Sequence, residues 1–155
     1  MVRFSEIKMT LYAAYGSNLD PRQMLQRAPH SPHLGTGWLR GWRLTFGGEE
    51  IGWEGAVATL AEDSSASVFV SIYDLTRQDE SVLDEWEGVN TNLYSKIRVR
   101  VDTLNGVQLC YVYVLNSFEG GIPSKRYLEI MINAALEAGA PSDYIDTLKR
   151  FGEVS

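Results

Sequence analysis

"SKIRVRVDTLNGVQLCYVYVLN", residues 95–116, decides the fold class. Two runs of alternating apolar and polar residues flank Asn105-Gly106, a dipeptide that specifies a two-residue hairpin turn. Counting back from that turn pairs Val101 with Cys110, Val99 with Val112 and Ile97 with Val114. The other face carries Arg98, Arg100, Tyr111 and Tyr113, so one side is core and the other amphipathic.

Four more strand-like runs precede the hairpin. Residues 11–15 form a short buried one ended by Gly16, followed by "WLRGWRLTFGG" (38–48), "GAVATLAE" (55–62) and "SVFVSIYDL" (67–75). Residues 28–37 carry Pro29, Pro32, Gly35 and Gly37 and read as a loop.

Helices precede, interrupt and follow these runs. Asp20 as N-cap and Pro21 at the first helical position open one, with Met24 and Leu25 inward. Thr76 and Asp79 form a capping box, and Gly88 is a natural stop for that second helix of roughly three turns. A third, amphipathic helix covers 124–138, capped by Ser124 and stopped at Gly139. The last runs from about Ser142 to Arg150, with Ile145, Leu148 and Phe151 inward. The expectation is one α+β domain over residues 1–155, a small mixed β-barrel-like sheet with flanking helices. Residues 1–8, MVRFSEIK, read as a flexible leader.

Composition excludes several functions. A chain of 155 residues fills one core. A net charge of −6 and a pI near 4.9 leave no electrostatic footprint for nucleic acid, and scattered Arg residues leave none for an anionic membrane. No apolar run reaches the roughly 20 residues of a membrane span, and the N-terminus lacks a signal peptide's apolar stretch, so a cytoplasmic location is expected. The single cysteine, Cys110, excludes an internal disulfide and falls on the core face of the hairpin, as an inert thiol would. His30 and His33 share a Pro-rich loop without Cys or Glu at ligand spacing, so no metal is expected. No nucleophile elbow, P-loop or dinucleotide fingerprint occurs.

Two features carry chemistry. In "LYAAYGSNLDPRQM" (11–24) the strand stops at Gly16-Ser17-Asn18. That is common turn chemistry, and equally the pattern of an anion nest whose N–H groups face a ligand beside a helix start. The second feature is Glu87. Asp79, Glu80, Asp84 and Glu85 read as a solvated helix face, with Asp84 and Glu85 pointing away from Val82, Leu83 and Trp86. Glu87 instead projects about 40° from Leu83, at the border of the apolar stripe. It also sits in the last turn, where the helix dipole opposes a carboxylate. Such an acid has a raised pKa, the preparation of a general base.

Both features meet in one family. Tyr15-Gly16-Ser17-Asn18-Leu19, preceded by Tyr12-Ala13-Ala14, and Leu83-Asp84-Glu85-Trp86-Glu87-Gly88 are followed by a Tyr-led strand and Pro123-x-x-x-Tyr127. Over nearly its whole length the chain resembles the γ-glutamylcyclotransferase family of the AIG2-like superfamily. The resemblance implies a small β-barrel with flanking helices and a cofactor-free reaction. In it, the α-amine of a γ-glutamyl group attacks its own γ-carbonyl, releasing 5-oxoproline and an amine or amino acid. It places the catalytic acid on Glu87, the substrate loop on Tyr12, Ala13, Ala14, Tyr15, Gly16, Ser17 and Asn18, and pocket tyrosines on Tyr94, Tyr113 and Tyr127. It further implies a small γ-glutamyl substrate within glutathione metabolism, no nucleic-acid or membrane partner, and an oligomeric state left open, a homodimer included. Trp86 stands where the mammalian-type enzyme carries Gln, which makes the rim more apolar. Two alternatives stay open: a binding module that keeps the loop without the chemistry, and a hydrolase or transferase on other γ-glutamyl conjugates.

Overall fold

A computed structural model of the chain describes residues 10–47, 56–87, 89, 93–116 and 121–153. The leader at 1–8 and the stop at Gly88 lie outside the described residues. Among the described residues five strands, β1 (Thr10–Ala14), β2 (His33–Gly47), β3 (Val57–Leu75), β4 (Tyr94–Thr103) and β5 (Gly106–Leu115), close into a barrel in the order β1-β3-β2-β4-β5. The other neighbouring pairs are antiparallel, and the parallel contact of Tyr12 with Tyr111 joins β1 to β5. This is the mixed barrel expected from the alternating runs.

The long strands depart from expectation in two places. Residues 33–37 are strand rather than loop, because His33 to Gly37 pair with Tyr73 to Val70 and pairing overrides their Gly-rich composition. Pro32 stays just outside, its carbonyl accepting from the Asp74 N–H at 3.0 Å. The runs at 55–62 and 67–75 belong to one strand, β3. Arg40 pairs with Ser67 and Trp42 with Glu62, so Asp63 to Ala66 form a bulge that bends the strand without ending it. Gly41, with φ +87, accommodates the same bend in β2.

The hairpin forms with a shifted register. Val101 pairs with Gln108, Val99 with Cys110 and Ile97 with Val112. Leu104 and Asn105 are the turn residues, and Gly106, with φ +100, opens β5. A shift of two positions preserves the faces, so Val99, Val101, Cys110 and Val112 are buried as expected.

Among the described residues four helices flank the barrel: α1 (Pro21–Arg27), α2 (Arg77–Trp86), α3 (Lys125–Glu137) and α4 (Ser142–Arg150). The side chains of Asp20, Thr76 and Ser124 accept from the N–H groups of Arg22, Asp79 and Tyr127 at 3.0–3.1 Å, as capping residues do. The box at Thr76 is only half made. Asp79, 3% exposed, turns its carboxylate to the His30 N–H at 2.8 Å and the Ser31 hydroxyl at 2.7 Å. Met24 is inward, whereas Leu25 is 65% exposed because the seven-residue α1 buries one narrow stripe. Ile145 and Leu148 are buried, and the Phe151 ring meets Phe46 at 4.8 Å. Among the described residues no helix is long and apolar enough to cross a membrane.

Candidate active site

One end of the barrel gathers the ends of several elements around a cavity of about 210 Å³. Tyr12 and the loop Tyr15 to Asn18 line one part of it. Val57 and Ala58 of β3, Tyr94 of β4, Tyr113 of β5 and Tyr127 of α3 line another. Arg27, Trp86 and Glu87, from the ends of α1 and α2, complete it. Of the residues expected here, only Ala13 and Ala14 do not line it; both are fully buried in β1. A larger hollow of about 560 Å³ along Leu11, Lys96 and Leu109 holds none of these residues.

After β1 the chain enters a 3-10 turn at Ser17–Leu19, closed by the Leu19 N–H on the Gly16 carbonyl at 3.0 Å. Gly16 keeps a negative φ of −105°, so the loop is the start of a tight helical turn rather than a nest with a left-handed residue. Gly16 is needed for space. A Cβ there would lie 3.0 Å from the Tyr127 hydroxyl and 3.3 Å from the Ala58 Cβ. The Tyr127 oxygen accepts from the Ala58 N–H at 3.0 Å, and hydrogen bonds from the Ser17 backbone and side chain also reach it. Burial still pushes the Tyr127 pKa up to about 12.

Asn18, 3% exposed, ties the loop to β1 and α1. Its amide donates to the Tyr12 hydroxyl at 3.0 Å, and its carbonyl accepts from Gln23 at 3.0 Å and Arg27 Nη1 at 2.8 Å. Gln23 also donates to Ser17 Oγ at 2.6 Å. Arg27 is the functional group the sequence reading passed over. Its signal was available: Gln23 and Arg27 stand four apart, on one face of the helix that follows the loop. Its guanidinium lies over the Trp86 ring, 4.5 Å from the centroid, and among the described residues it makes no direct ion pair with Glu87.

Glu87 caps α2, its N–H bonded to the Leu83 carbonyl at 2.9 Å, and its half-buried carboxylate faces the cavity. Burial lifts its pKa from the ordinary 4.5 to about 7, opposed by Arg27 and reinforced by the negative charge of Asp84. Burial, with the Glu87 charge a secondary contributor, likewise holds the hydroxyls of Tyr12, Tyr15 and Tyr94 protonated far above neutral pH. Tyr15 donates to the Tyr113 carbonyl, and the Tyr113 hydroxyl donates to Asp84 Oδ1 at 2.6 Å.

The solvated face expected of α2 is correct for Glu85 and incorrect for Asp84, which is three-quarters buried and ion-paired to Lys96 at 3.2 Å. Lys96 of β4 and Tyr113 of β5 reach Asp84 on that side of the helix and supply its polar partners. Val82 and Trp86 are 38% and 61% exposed, not inward. Cys110 is buried, which pushes its thiol up to about 11. His33 packs on Tyr73 at 5.1 Å between ring centroids.

Comparison with known proteins agrees with this geometry. A model of the AIG2-like family matches residues 67–148. The chain is 31% identical over 144 residues to the γ-glutamylcyclotransferase of Homo sapiens, covering 90% of this chain and 77% of that one. Identity and coverage are the same for the Mus musculus γ-glutamylcyclotransferase. A solved γ-glutamyl cyclotransferase structure superimposes with a TM-score of 0.86 at 30% identity, over 92% of this chain and 87% of that one.

Proposed function

The chain belongs to the γ-glutamylcyclotransferase family, and we infer from this and from its cavity that it cyclises γ-glutamyl compounds. The carboxylate of Glu87, with its pKa near 7 inside a tyrosine-lined cavity, is the observation that carries the mechanism.

The substrate brings its own nucleophile. Its α-amine closes a five-membered ring on the γ-carbonyl, and a correctly held conformer gives an effective molarity of about 10⁵ M or more. The chain then has to bind, orient and carry protons from the substrate ammonium to the departing nitrogen. A free α-amine has a reference pKa of about 7.7–8.0. An ordinary carboxylate would take that proton at a cost of about 5 kcal/mol, and Glu87 at about 1 kcal/mol. In the proposed sequence Glu87 takes one proton from the ammonium, freeing the amine to attack, and hands it to the departing nitrogen as the amide bond breaks. The ring nitrogen loses its second proton as the lactam forms, and that proton ends on the released amine, leaving 5-oxoproline and a free ammonium or amino acid.

The remaining groups divide by sign. Arg27, the Asn18–Tyr12 pair and the N–H groups at the start of the 3-10 turn suit a carboxylate and the oxyanion of the tetrahedral intermediate. Glu87 suits the amine. Ala13 and Ala14 serve by packing, letting β1 carry Tyr12 and Tyr15 to the cavity.

Mass-spectrometric measurement of 5-oxoproline after incubation with a panel of γ-glutamyl dipeptides and γ-glutamylamines tests this function. Release from at least one compound supports it. Binding without release would identify a binding module, and glutamate in place of 5-oxoproline a hydrolase.

A further inference from the structure

We propose that Asp84, which does not line the cavity, is a positioning residue: by accepting the Tyr113 proton it turns the lone pairs of the Tyr113 hydroxyl toward the substrate amine. The inference rests on the cyclisation reading above.

A phenol has one proton to donate, and a carboxylate can only accept. With Tyr113 Oη 2.6 Å from Asp84 Oδ1, the proton lies on that line and the cavity receives an acceptor. Asp84 is itself fixed. Lys96 Nζ stands 3.2 Å from Oδ1 and 3.3 Å from Oδ2, and it is held by Glu80 at 2.5 Å and by the Tyr111 ring at 4.4 Å. The edge-on packing of Tyr113 against Tyr12 and Tyr111, at 5.5 Å each, leaves its ring little freedom to swing.

Tyr15 reinforces the same polarity. Its proton goes to the Tyr113 carbonyl, so its oxygen too faces the cavity as an acceptor. Tyr15, Tyr113 and Glu87 thus form an acceptor cluster suited to an amine with N–H bonds to direct. The donors, Arg27 and the Asn18 amide with Tyr12, are joined through Asn18 and line the same cavity. A γ-glutamyl group with its amine toward Glu87 meets acceptors at the amine and finds donors for its carboxylate in the same cavity.

Other charges bear on a pH test. Asp84 is faced by Lys96 of β4, Glu80 of its own helix, and Tyr111 and Tyr113 of β5. Glu87 is faced by Asp84 of α2, Arg27 of α1, Tyr12 and Tyr15 at the end of β1, Tyr94 of β4, Tyr111 of β5 and Tyr127 of α3. Of these groups, Asp84 raises the Glu87 pKa and Arg27 lowers it.

The test is kcat/KM against pH for wild type, Asp84→Ala, Asp84→Asn, Tyr113→Phe and the Asp84→Ala/Tyr113→Phe double variant, with melting curves for each. Asp84→Ala and Tyr113→Phe each remove the bond and should lower plateau kcat/KM about tenfold, the worth of one oriented hydrogen bond. The double variant should lose no more on the plateau than Tyr113→Phe alone, because both remove one interaction. Asp84→Asn, whose Oδ1 can still accept the Tyr113 proton, should lose less and move the acid limb to lower pH, whereas Tyr113→Phe leaves the Asp84 charge and the limb in place. Asp84→Leu provides the same readings if the alanine variant does not fold. An Asp84→Ala variant within twofold of wild type, or losses that multiply in the double variant, overturns the role of Asp84 alone. Wild type that releases no 5-oxoproline overturns the cyclisation reading and this inference with it.

Discussion

The guanidinium of Arg27 lies 4.5 Å over the Trp86 ring, joining the last turns of α1 and α2 at the rim of the cavity. The ring is 61% exposed, so its contact with the cation, rather than core burial, explains its place. Trp86→Ala should therefore leave the melting temperature within a few degrees. It should raise KM about two- to fivefold, matching the 0.5–1 kcal/mol of an exposed cation–π contact. Steady-state kinetics with a γ-glutamyl dipeptide measure this, and a fall in kcat at constant KM would assign Trp86 elsewhere.

Arg27→Gln removes the charge that favours ionised Glu87. A carboxylate that loses a neighbouring cation holds its proton to higher pH. The acid limb of kcat/KM should move above its wild-type position near pH 7, opposite to the shift expected for Asp84→Asn. A limb unmoved by Arg27→Gln would mean that the titrating group is not Glu87.

At Gly16 the penalty is steric. Gly16→Val has to displace the Tyr127 hydroxyl, 3.0 Å from the new Cβ, and with it the bonds from Ala58 and Ser17. It should lower both melting temperature and turnover. Ser17→Ala removes the acceptor of the Gln23 bond and the side-chain bond to Tyr127, and should cost about 2 kcal/mol, the value of two such hydrogen bonds. Equal turnover in Gly16→Val and wild type would refute the close-approach account.

Asp79→Ala makes a prediction for stability alone. It strips acceptors from the His30 N–H and the Ser31 hydroxyl at a buried site. A loss of about 2–3 kcal/mol in chemical denaturation is expected, with the acid limb of the rate unchanged. A shifted limb would implicate Asp79 in the cavity electrostatics.

What the sequence disclosed depended on whether the signal was local. The alternation at 95–116 and the capping residues Asp20, Thr76 and Ser124 reported the strands and helix starts, because period and caps act within a few residues. The hairpin register did not follow, since Gly106 was free to begin the strand instead of completing the turn. Asp63 to Ala66 looked like a break because composition cannot separate a bulge from a loop. The cavity wall was largely readable from the family motifs, yet Asp84 was misread: helical periodicity gives the direction of a side chain, not what waits there. Lys96 and Tyr113 arrive from strands 12 and 29 residues away.

Glu87→Gln tests the central claim most directly. Glu87 has a folded-state pKa near 7 against an ordinary 4.5, so the folded protein binds more protons than the unfolded chain between those values. Wild-type stability from this group is therefore full below about pH 4.5 and falls as pH rises through 7, by about 3 kcal/mol in total. The amide has no such dependence, so the variant should match wild type at acid pH and melt higher at pH 8. In the same samples at pH 8, 5-oxoproline release should fall by roughly 10²- to 10⁴-fold. Release at the wild-type rate by a folded Glu87→Gln would contradict the assignment of Glu87 as the base.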